Sequence, residues 1–168
     1  MTGAPEPSSS DSAFWRFSLR FYALPDVAPA CLTFQDEANV DVNLLLLLLF
    51  LADNGRSVTR DDVARLDAAI APWRGDVVEP LRALRRRLKT GIGEFPPNEP
   101  FRNMVKKIEL EAERLEQARL ENAAPNLGKP AARSDAASAN LAAYEAHLGG
   151  LPDGPKALIL KAFSAQPA

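Results

Sequence analysis

The chain has 168 residues, of which 46% are apolar and 25% are charged, and its net charge is −2. This length predicts one domain with a sizeable core, and the small charge excludes a general attraction to nucleic acid or anionic lipid. A single cysteine, Cys31, excludes an intramolecular disulfide framework and is typical of a protein of the reducing cytoplasm.

The chain starts with a polar segment, residues 1–11, which is followed by two predicted helices. The segment has no basic residue and no apolar run, so it lacks the pattern of a secretory signal and is predicted to be a disordered leader. A first helix is predicted over about 12–24, where apolar residues recur at helical spacing until Pro25. A second helix is predicted over about 27–38 and carries Cys31 on its apolar stripe.

The most apolar stretch is residues 44–52, which read LLLLLLFLA. A bilayer core of roughly 30 Å needs about 20 apolar residues in a helix. Nine such residues, bounded by Asp41 and Asp53, therefore cannot span a membrane. A helix that is apolar on every side but too short for a bilayer must be covered by protein. The sequence thus predicts a buried central helix over about 42–53.

Helical patterns continue after the central helix. Thr59 is predicted to cap a helix that is interrupted at residues 72–75, after which another helix runs to about Lys89. The longest helix, at about 99–122, carries a narrow apolar stripe on an otherwise charged surface. The members of this stripe are Phe101, Val105, Ile108, Ala112 and Leu115. These patterns predict an all-α bundle domain over residues 12–122.

The C-terminal part of the chain is predicted to be an appendage to this bundle. Residues 123–137 have the Ala, Pro, Ser and Gly content of a linker. Two short helices, at about 138–148 and 154–164, are joined across Gly149 and Gly150 and form a predicted αα-hairpin. We therefore expect a peripheral helical hairpin over residues 138–165.

Five phrases of the sequence occur together in a recognisable order. They are FWRFS at 14–18, VAPACL at 27–32, DVNLLL at 41–46, VEPLR at 78–82 and ELEAER at 109–114. Together they resemble a small proteobacterial family that is catalogued only as a domain of unknown function, over about residues 12–122. The resemblance implies a helical cytoplasmic protein, and it implies no activity for any residue.

Several chemistries are excluded by the residues themselves. One histidine, His147, and one cysteine are too few for a His-rich di-metal site or for a zinc site of the usual Cys/His kind. The sequence has neither a phosphate-binding G-x-x-x-x-G-K loop nor a G-x-G-x-x-G turn after a strand. No metal and no cofactor is predicted.

Polar residues before the central helix are candidates for a small-ligand or enzymatic pocket. As an alternative, Asp and Asn side chains there cap two helix ends, and Cys31 is an inert core thiol, because the next turn offers no base. Asn43 opens an otherwise apolar helix, so if it is buried it needs a hydrogen-bond partner. The pocket candidates are Cys31, Gln35, Asp36 and Asn43, with Trp15, Tyr22 and Trp73 as walls.

The segment RALRRRLK at 82–89 contains five basic residues and no acid. Its basic face is predicted either to pair with glutamates of the long helix or to bind an acidic protein. Nucleic acid is a weaker alternative, because no aromatic residues alternate with the arginines to stack on bases. The candidate partner-binding residues are Arg82, Arg85, Arg86 and Lys89, and the candidate internal partners are Glu109, Glu111, Glu113 and Glu116.

Two functional hypotheses follow. The favoured one is a cytoplasmic, non-enzymatic protein-binding or adaptor module that uses the basic face or the long charged helix. The second is a ligand-binding or enzymatic pocket at the corner formed by Cys31, Gln35, Asp36 and Asn43. The sequence specifies no oligomeric state.

Overall fold

A computed structural model describes residues 12–166, and the predicted leader at 1–11 lies outside this range. The described chain is mainly helical, with one two-stranded ladder, which confirms the all-α prediction. The helices are α1 (Ala13–Tyr22), α2 (Val27–Ala38), α3 (Val42–Asp53), α4 (Arg60–Trp73), α5 (Glu79–Arg87), α6 (Glu99–Ala123), α7 (Arg133–Leu148) and α8 (Asp153–Ser164). The strands are β1 (Arg56–Ser57) and β2 (Lys129–Pro130).

Helix α3 is the centre of the core, as predicted. Asp41 caps its first turn by accepting a hydrogen bond from the Leu44 N–H, and all six consecutive leucines at 44–49 are buried. Helices α1, α6 and α7 pack around it, so the apolar surface is covered by the chain itself. Within residues 12–166, no helix combines the length and apolar character needed to cross a bilayer.

The predicted interruption at residues 72–75 is wrong, because the chain remains helical from Arg60 to Arg87. Between α4 and α5, a π-helical segment, Arg74–Val78, connects the two helices. Its wider turn lets the Glu79 N–H bond to the Arg74 carbonyl, five residues back, just before Pro80, which has no N–H to donate. Such a turn changes the direction of the side chains around it, and Trp73 and Arg74 both reach neighbouring helices.

The C-terminal helices differ from the predicted linker and peripheral hairpin. Helix α7 begins at Arg133, inside the predicted linker, and its contact with α3 is the most extensive between any two elements of the described chain. The Ala-rich composition that suggested a linker instead allows close helix packing, because Ala136 and Ala137 are buried. Helix α8 packs on α2 and buries Ile159 and Phe163 in the same core.

The β1–β2 strand pair and the side chain of Asn140 hold α7 against the central helix α3. Strand β1 pairs antiparallel with β2, and the approach requires glycine at Gly128, because a Cβ there would lie 2.7 Å from the Ser57 carbonyl oxygen. The buried side chain of Asn140 donates to the Leu48 and Arg56 carbonyls and accepts from the Val58 N–H, at 2.7–3.0 Å. The C-terminal helices are therefore part of the main core.

Candidate functional site

The corner between α2 and α3 is built from helix ends, as the capping alternative predicts. Asn39 ends α2 in the left-handed conformation, and Asp41 caps α3. The Asp41 N–H donates to the Tyr144 hydroxyl at 2.9 Å, and this hydroxyl donates back to the Asp41 carbonyl at 3.3 Å. The corner is thus fixed to α7 by a buried phenol.

Asn43 is buried and starts a chain of side-chain hydrogen bonds through the core. Its Nδ2 donates to Glu116 Oε1, and its Oδ1 accepts from Gln117 Nε2, each at 2.9 Å. Gln117 Oε1 in turn accepts from the Ser18 hydroxyl at 2.9 Å. Asn43 therefore has its required partners, and they are side chains of α6 rather than backbone groups.

Glu116 has one carboxyl oxygen that this network of hydrogen bonds does not use. Its Oε2 is buried and accepts no hydrogen bond from the described residues, while the carboxyl group of Asp41 lies beside it. Burial, followed by the negative charge of Asp41, raises the pKa of Glu116 to about 8. The raised pKa favours the protonated form of Glu116, in which the carboxyl group can donate a hydrogen bond to Asp41.

On the other side of Asp41, the polar chain continues to the protein surface. Arg74 Nη1 donates to Asp41 Oδ2 at 3.3 Å and to Asp67 Oδ1 at 2.6 Å, and Asp67 Oδ2 lies 3.0 Å from His147 Nε2. Burial acts to raise the pKa of Asp67, but the hydrogen bonds from Arg74 and His147 outweigh it and hold the pKa below its ordinary value. The result is a continuous row of polar groups from Ser18 to His147.

A cavity of about 420 Å³ opens at this corner, between the end of α2, the start of α3, and α5. Asp41 and Arg74 connect its wall to the buried polar chain. Arg86 and Arg87 are exposed and also line it. The other charged or amide-bearing side chains that line it are Gln35, Asp36, Asn39, Glu79 and Arg82.

The predicted pocket residues are not brought together in this cavity. Gln35 and Asp36 line it, whereas Asn43 lies behind it in the core network. Cys31 is buried on α2, and burial raises the pKa of its thiol to about 12, which favours the inert core alternative. The aromatic candidates lie elsewhere: Trp15 is buried on α1, Tyr22 is half-buried and does not line the cavity, and Trp73 lines a different groove.

The basic face of α5 is divided between internal and outward-facing residues. Arg82 donates to Glu113 at 3.1 Å, and Arg85 forms a two-pronged pair with Glu109, in which Nη2 lies 3.1 Å from Oε1. Both glutamates are buried, so these arginines are the internal partners that such burial requires. Arg86 and Lys89 are exposed; Arg86 meets Asp36 at 3.3 Å, and Lys89 has no ion pair within residues 12–166.

The long helix α6 faces the core with polar residues and faces solvent with apolar ones. Glu109, Glu113, Glu116 and Gln117 are buried. On the opposite side, the exposed fractions are 46% for Phe101, 55% for Met104, 57% for Ile108 and 51% for Leu115. We call these four residues the outer stripe. The predicted apolar stripe is therefore split, with Val105 and Ala112 buried and Phe101, Ile108 and Leu115 exposed.

A shallow groove of about 620 Å³ extends the outer stripe toward α4 and the π-helical segment. Trp73 and Val77 line one side and Leu115 and Arg119 the other. Trp73 is held in place because its indole N–H donates to the Ala112 carbonyl at 3.0 Å. The groove thus presents a fixed, partly exposed aromatic ring beside the outer stripe.

Sequence reasoning missed Arg74 and the outward direction of the apolar stripe. It named Glu116 and Glu111 as partners of the basic face, but Glu116 accepts from Asn43 and Glu111 lies near Arg114. One signal was available, since Glu109, Glu113, Glu116 and Leu120 share one helical face by their spacing. A face that combines these glutamates with a leucine, opposite an arginine-rich helix, is compatible with burial through paired charges. Arg74 gave no such signal, because the π-helical segment that directs it is not apparent in the sequence.

The comparison with known families agrees with the resemblance seen in the sequence. Residues 13–120 match the family described as "Protein of unknown function (DUF2390)". The chain belongs to this family. No curated protein and no solved structure matches the chain. The matched range contains α1 to α5 and all but the last turn of α6, so the corner cavity and the outer stripe both lie within the family's region.

Proposed function

We propose that this protein is a non-enzymatic protein-binding module whose contact surface is the outer stripe together with the Trp73 groove. The observation that carries the proposal is the orientation of α6, which turns buried glutamates inward and four large apolar side chains outward. Contiguous apolar surface of this kind is typical of protein interaction sites. We further propose a cytoplasmic location, which suits a chain with one buried, unpaired cysteine.

The spacing of the outer stripe supports an amphipathic helix as the partner. Phe101, Met104 and Ile108 are separated by three and four residues, and Leu115 follows Ile108 by seven, which are spacings that form a seam along a helix. Helix-in-groove recognition uses such a seam with an apolar pocket beside it. The Trp73 groove supplies this pocket, and a partly exposed tryptophan is among the residues that contribute most to binding energy.

Charges beside the outer stripe favour a partner with acidic flanks. Lys107 is exposed next to Ile108, and Arg119 is exposed one turn after Leu115; neither forms an ion pair within residues 12–166. Glu111 interrupts the stripe, but its carboxylate lies 3.7 Å from Arg114, which offsets its charge. Two copies packed through this face would bring cations together, so a second copy of the chain fits less well.

The basic face of α5 is less suited to be the main contact surface. Arg82 and Arg85 are needed by the buried Glu109 and Glu113. Their release to a partner would leave buried carboxylates unpaired, at a cost of about 3–5 kcal/mol for a fully buried pair. The internal-pairing alternative therefore accounts for half of the predicted partner-binding residues.

A photo-crosslinking experiment tests this proposal. A photoreactive amino acid replaces Ile108 in one variant and Leu32, an exposed leucine on α2, in the control variant. We expect a defined heterologous protein to crosslink at 108 and not at 32. We also expect its purified form to lose at least about ten-fold in affinity for an I108S/L115S variant. Equal crosslinking at both positions, an unchanged affinity, or crosslinks only between copies of this chain would contradict the proposal.

A further inference from the structure

The corner cavity has a chemistry that protein binding at the outer stripe does not use. Its lining includes Arg74, Arg82, Arg86 and Arg87, together with the acids Asp36, Asp41 and Glu79. A volume of about 420 Å³ lies within the range of roughly 300–1,000 Å³ that is typical of small-ligand sites. The question is which of these charges remain available to a ligand.

The arginines of the cavity fall into two groups. Arg74 is bound to Asp41 and Asp67, and Arg82 is bound to Glu109 and Glu113, so both belong to the fixed wall. The Arg87 carbonyl accepts from the Thr90 hydroxyl, but the Arg87 guanidinium group forms no hydrogen bond and no ion pair within the described residues 12–166.

Arg86 is only weakly engaged. It has an ion pair with Asp36 at 3.3 Å, in which both side chains are more than half exposed. Such exposed pairs contribute little, at about 0–1 kcal/mol. Two guanidinium groups at the rim are therefore free to turn toward a ligand.

We propose that the corner cavity binds a small anion of phosphate or carboxylate chemistry through Arg86 and Arg87. Guanidinium groups have the planar donor geometry that pairs with both kinds of anion. The amide groups of Gln35 and Asn39 also line the cavity and can add neutral donors. The carboxylate of Asp41 does not oppose the anion strongly, because it already accepts hydrogen bonds from the Leu44 N–H and from Arg74.

Two exposed acids at the rim of the cavity are expected to weaken anion binding, so their removal is expected to strengthen it. Asp36 competes with the anion for Arg86, so its neutralisation is expected to strengthen binding. Glu79 lies eight residues before Arg87 on α5, about 12 Å along the helix, and its neutralisation is expected to have a smaller effect in the same direction. A surface that attracts anions only through its overall charge would not show this order.

The experiment is calorimetric titration of the full chain at low ionic strength with pyrophosphate and, separately, with citrate. We expect at least one of them to bind, R86Q/R87Q to weaken that binding by about ten-fold or more, and D36N to strengthen it by about three-fold. Lys89→Gln is the matched control, because Lys89 is an exposed cation on the same basic segment that does not line the cavity. The variant K89Q is expected to bind like the original chain.

Three results would overturn the proposal: no binding of either anion, an equal loss in K89Q and R86Q/R87Q, or weaker binding by D36N. Arg86 and Arg87 are exposed, so their variants are expected to keep the melting temperature of the original chain. The I108S/L115S variant is expected to bind the anion normally. A failure of the cavity proposal is thereby separated from a failure of the outer-stripe proposal.

Discussion

Helices α3 and α6 differ in the kind of side chain that they bury. Helix α3 is apolar on every side and is sealed by α1, α6 and α7. Helix α6 is rich in charged residues, and its core face contains Glu109, Glu113 and Glu116, while large apolar residues face solvent. The comparison shows that the residues of the neighbouring helices decide which face of a helix is buried. Arginines of α5 pair with the glutamates of α6, so the glutamate face of α6 is the one that is buried.

The difference between α3 and α6 also separates apolar residues that stabilise the fold from apolar residues that contribute little to it. Apolar residues on α3 have no alternative to burial, so they stabilise the fold. Apolar residues on the outer face of α6 contribute little to folding, because water still reaches about half of each side chain. Their position is not required for the stability of this chain, which is compatible with the contact surface proposed above.

The largest expected effect comes from removing the C-terminal helices. A chain that ends at residue 122 loses Tyr144, Leu141 and Phe163 from the core and exposes one side of α3. We expect this fragment to lack cooperative thermal unfolding, as measured by circular dichroism and calorimetry. A fragment that melts in one sharp transition near the melting temperature of the full chain would support the predicted 12–122 domain instead.

The second prediction compares one leucine from each helix. Leu48→Ala on α3 leaves a cavity in a fully buried site and is expected to lower the free energy of unfolding by about 2–5 kcal/mol. Leu115→Ala in the outer stripe is expected to change it by less than about 0.5–1 kcal/mol. Urea denaturation measures both values, and similar losses for the two variants would show that the outer stripe is covered within the folded monomer.

The sequence was sufficient for α3 but not for α6, for physical reasons. A run of nine apolar residues between acids has one solution in water, so its burial was predictable from residues 44–52 alone. The buried face of α6 was not predictable from its own sequence. Its apolar stripe and its glutamate face both could face the core, and the choice depends on Arg82 and Arg85 of α5. The same holds for α7: its alanines are typical of a linker in the sequence, and only the contact with α3 explains their burial.

The helix caps at the corner between α2 and α3 were predictable from the sequence, but the buried polar contacts behind them were not. The capping role of Asp41 and the need of Asn43 for a partner follow from their positions at a helix start. The approach of Arg74 depends on the π-helical segment, and the approach of Glu116 depends on the direction of α6. Both are tertiary effects, so the continuous polar row could not be derived from local patterns.

The third prediction tests whether arginines hold the polar face of α6 inward. Arg85→Met leaves Glu109 buried with only the more distant Arg82, 3.5 Å away, and is expected to lower the free energy of unfolding by about 1–3 kcal/mol. The double variant R85M/E109M is expected to recover part of this loss, because no buried charge remains unpaired. A double-mutant cycle by urea denaturation, with Lys89→Met as the control, measures the coupling; a coupling near zero would contradict the paired-charge account of α6.

The last prediction concerns the proton on Glu116 and its dependence on pH. Folding raises the pKa of this carboxyl from its ordinary value near 4.5 to about 8, so the stability that it contributes is complete below about pH 4.5 and is lost as the pH rises to about 8. Glu116→Gln keeps an acceptor for Asn43 and supplies a permanent donor toward Asp41. We therefore expect E116Q to be more stable than the original chain at pH 8, with the difference between the two chains becoming smaller as the pH falls to 5.

The control for this last variant is Glu111→Gln, which removes an exposed carboxylate from the outer side of the same helix. Its stability is expected to follow the original chain across the range from pH 5 to pH 8, because this carboxylate lies at the surface beside Arg114 of the same helix. Urea denaturation at several pH values measures the difference between the two slopes. If E116Q and E111Q show the same slope, Glu116 is ionised at neutral pH, and the carboxyl pair with Asp41 must instead be stabilised by Arg74. In that case the inner face of α6 would carry one more buried negative charge, and its contrast with α3 would be sharper still.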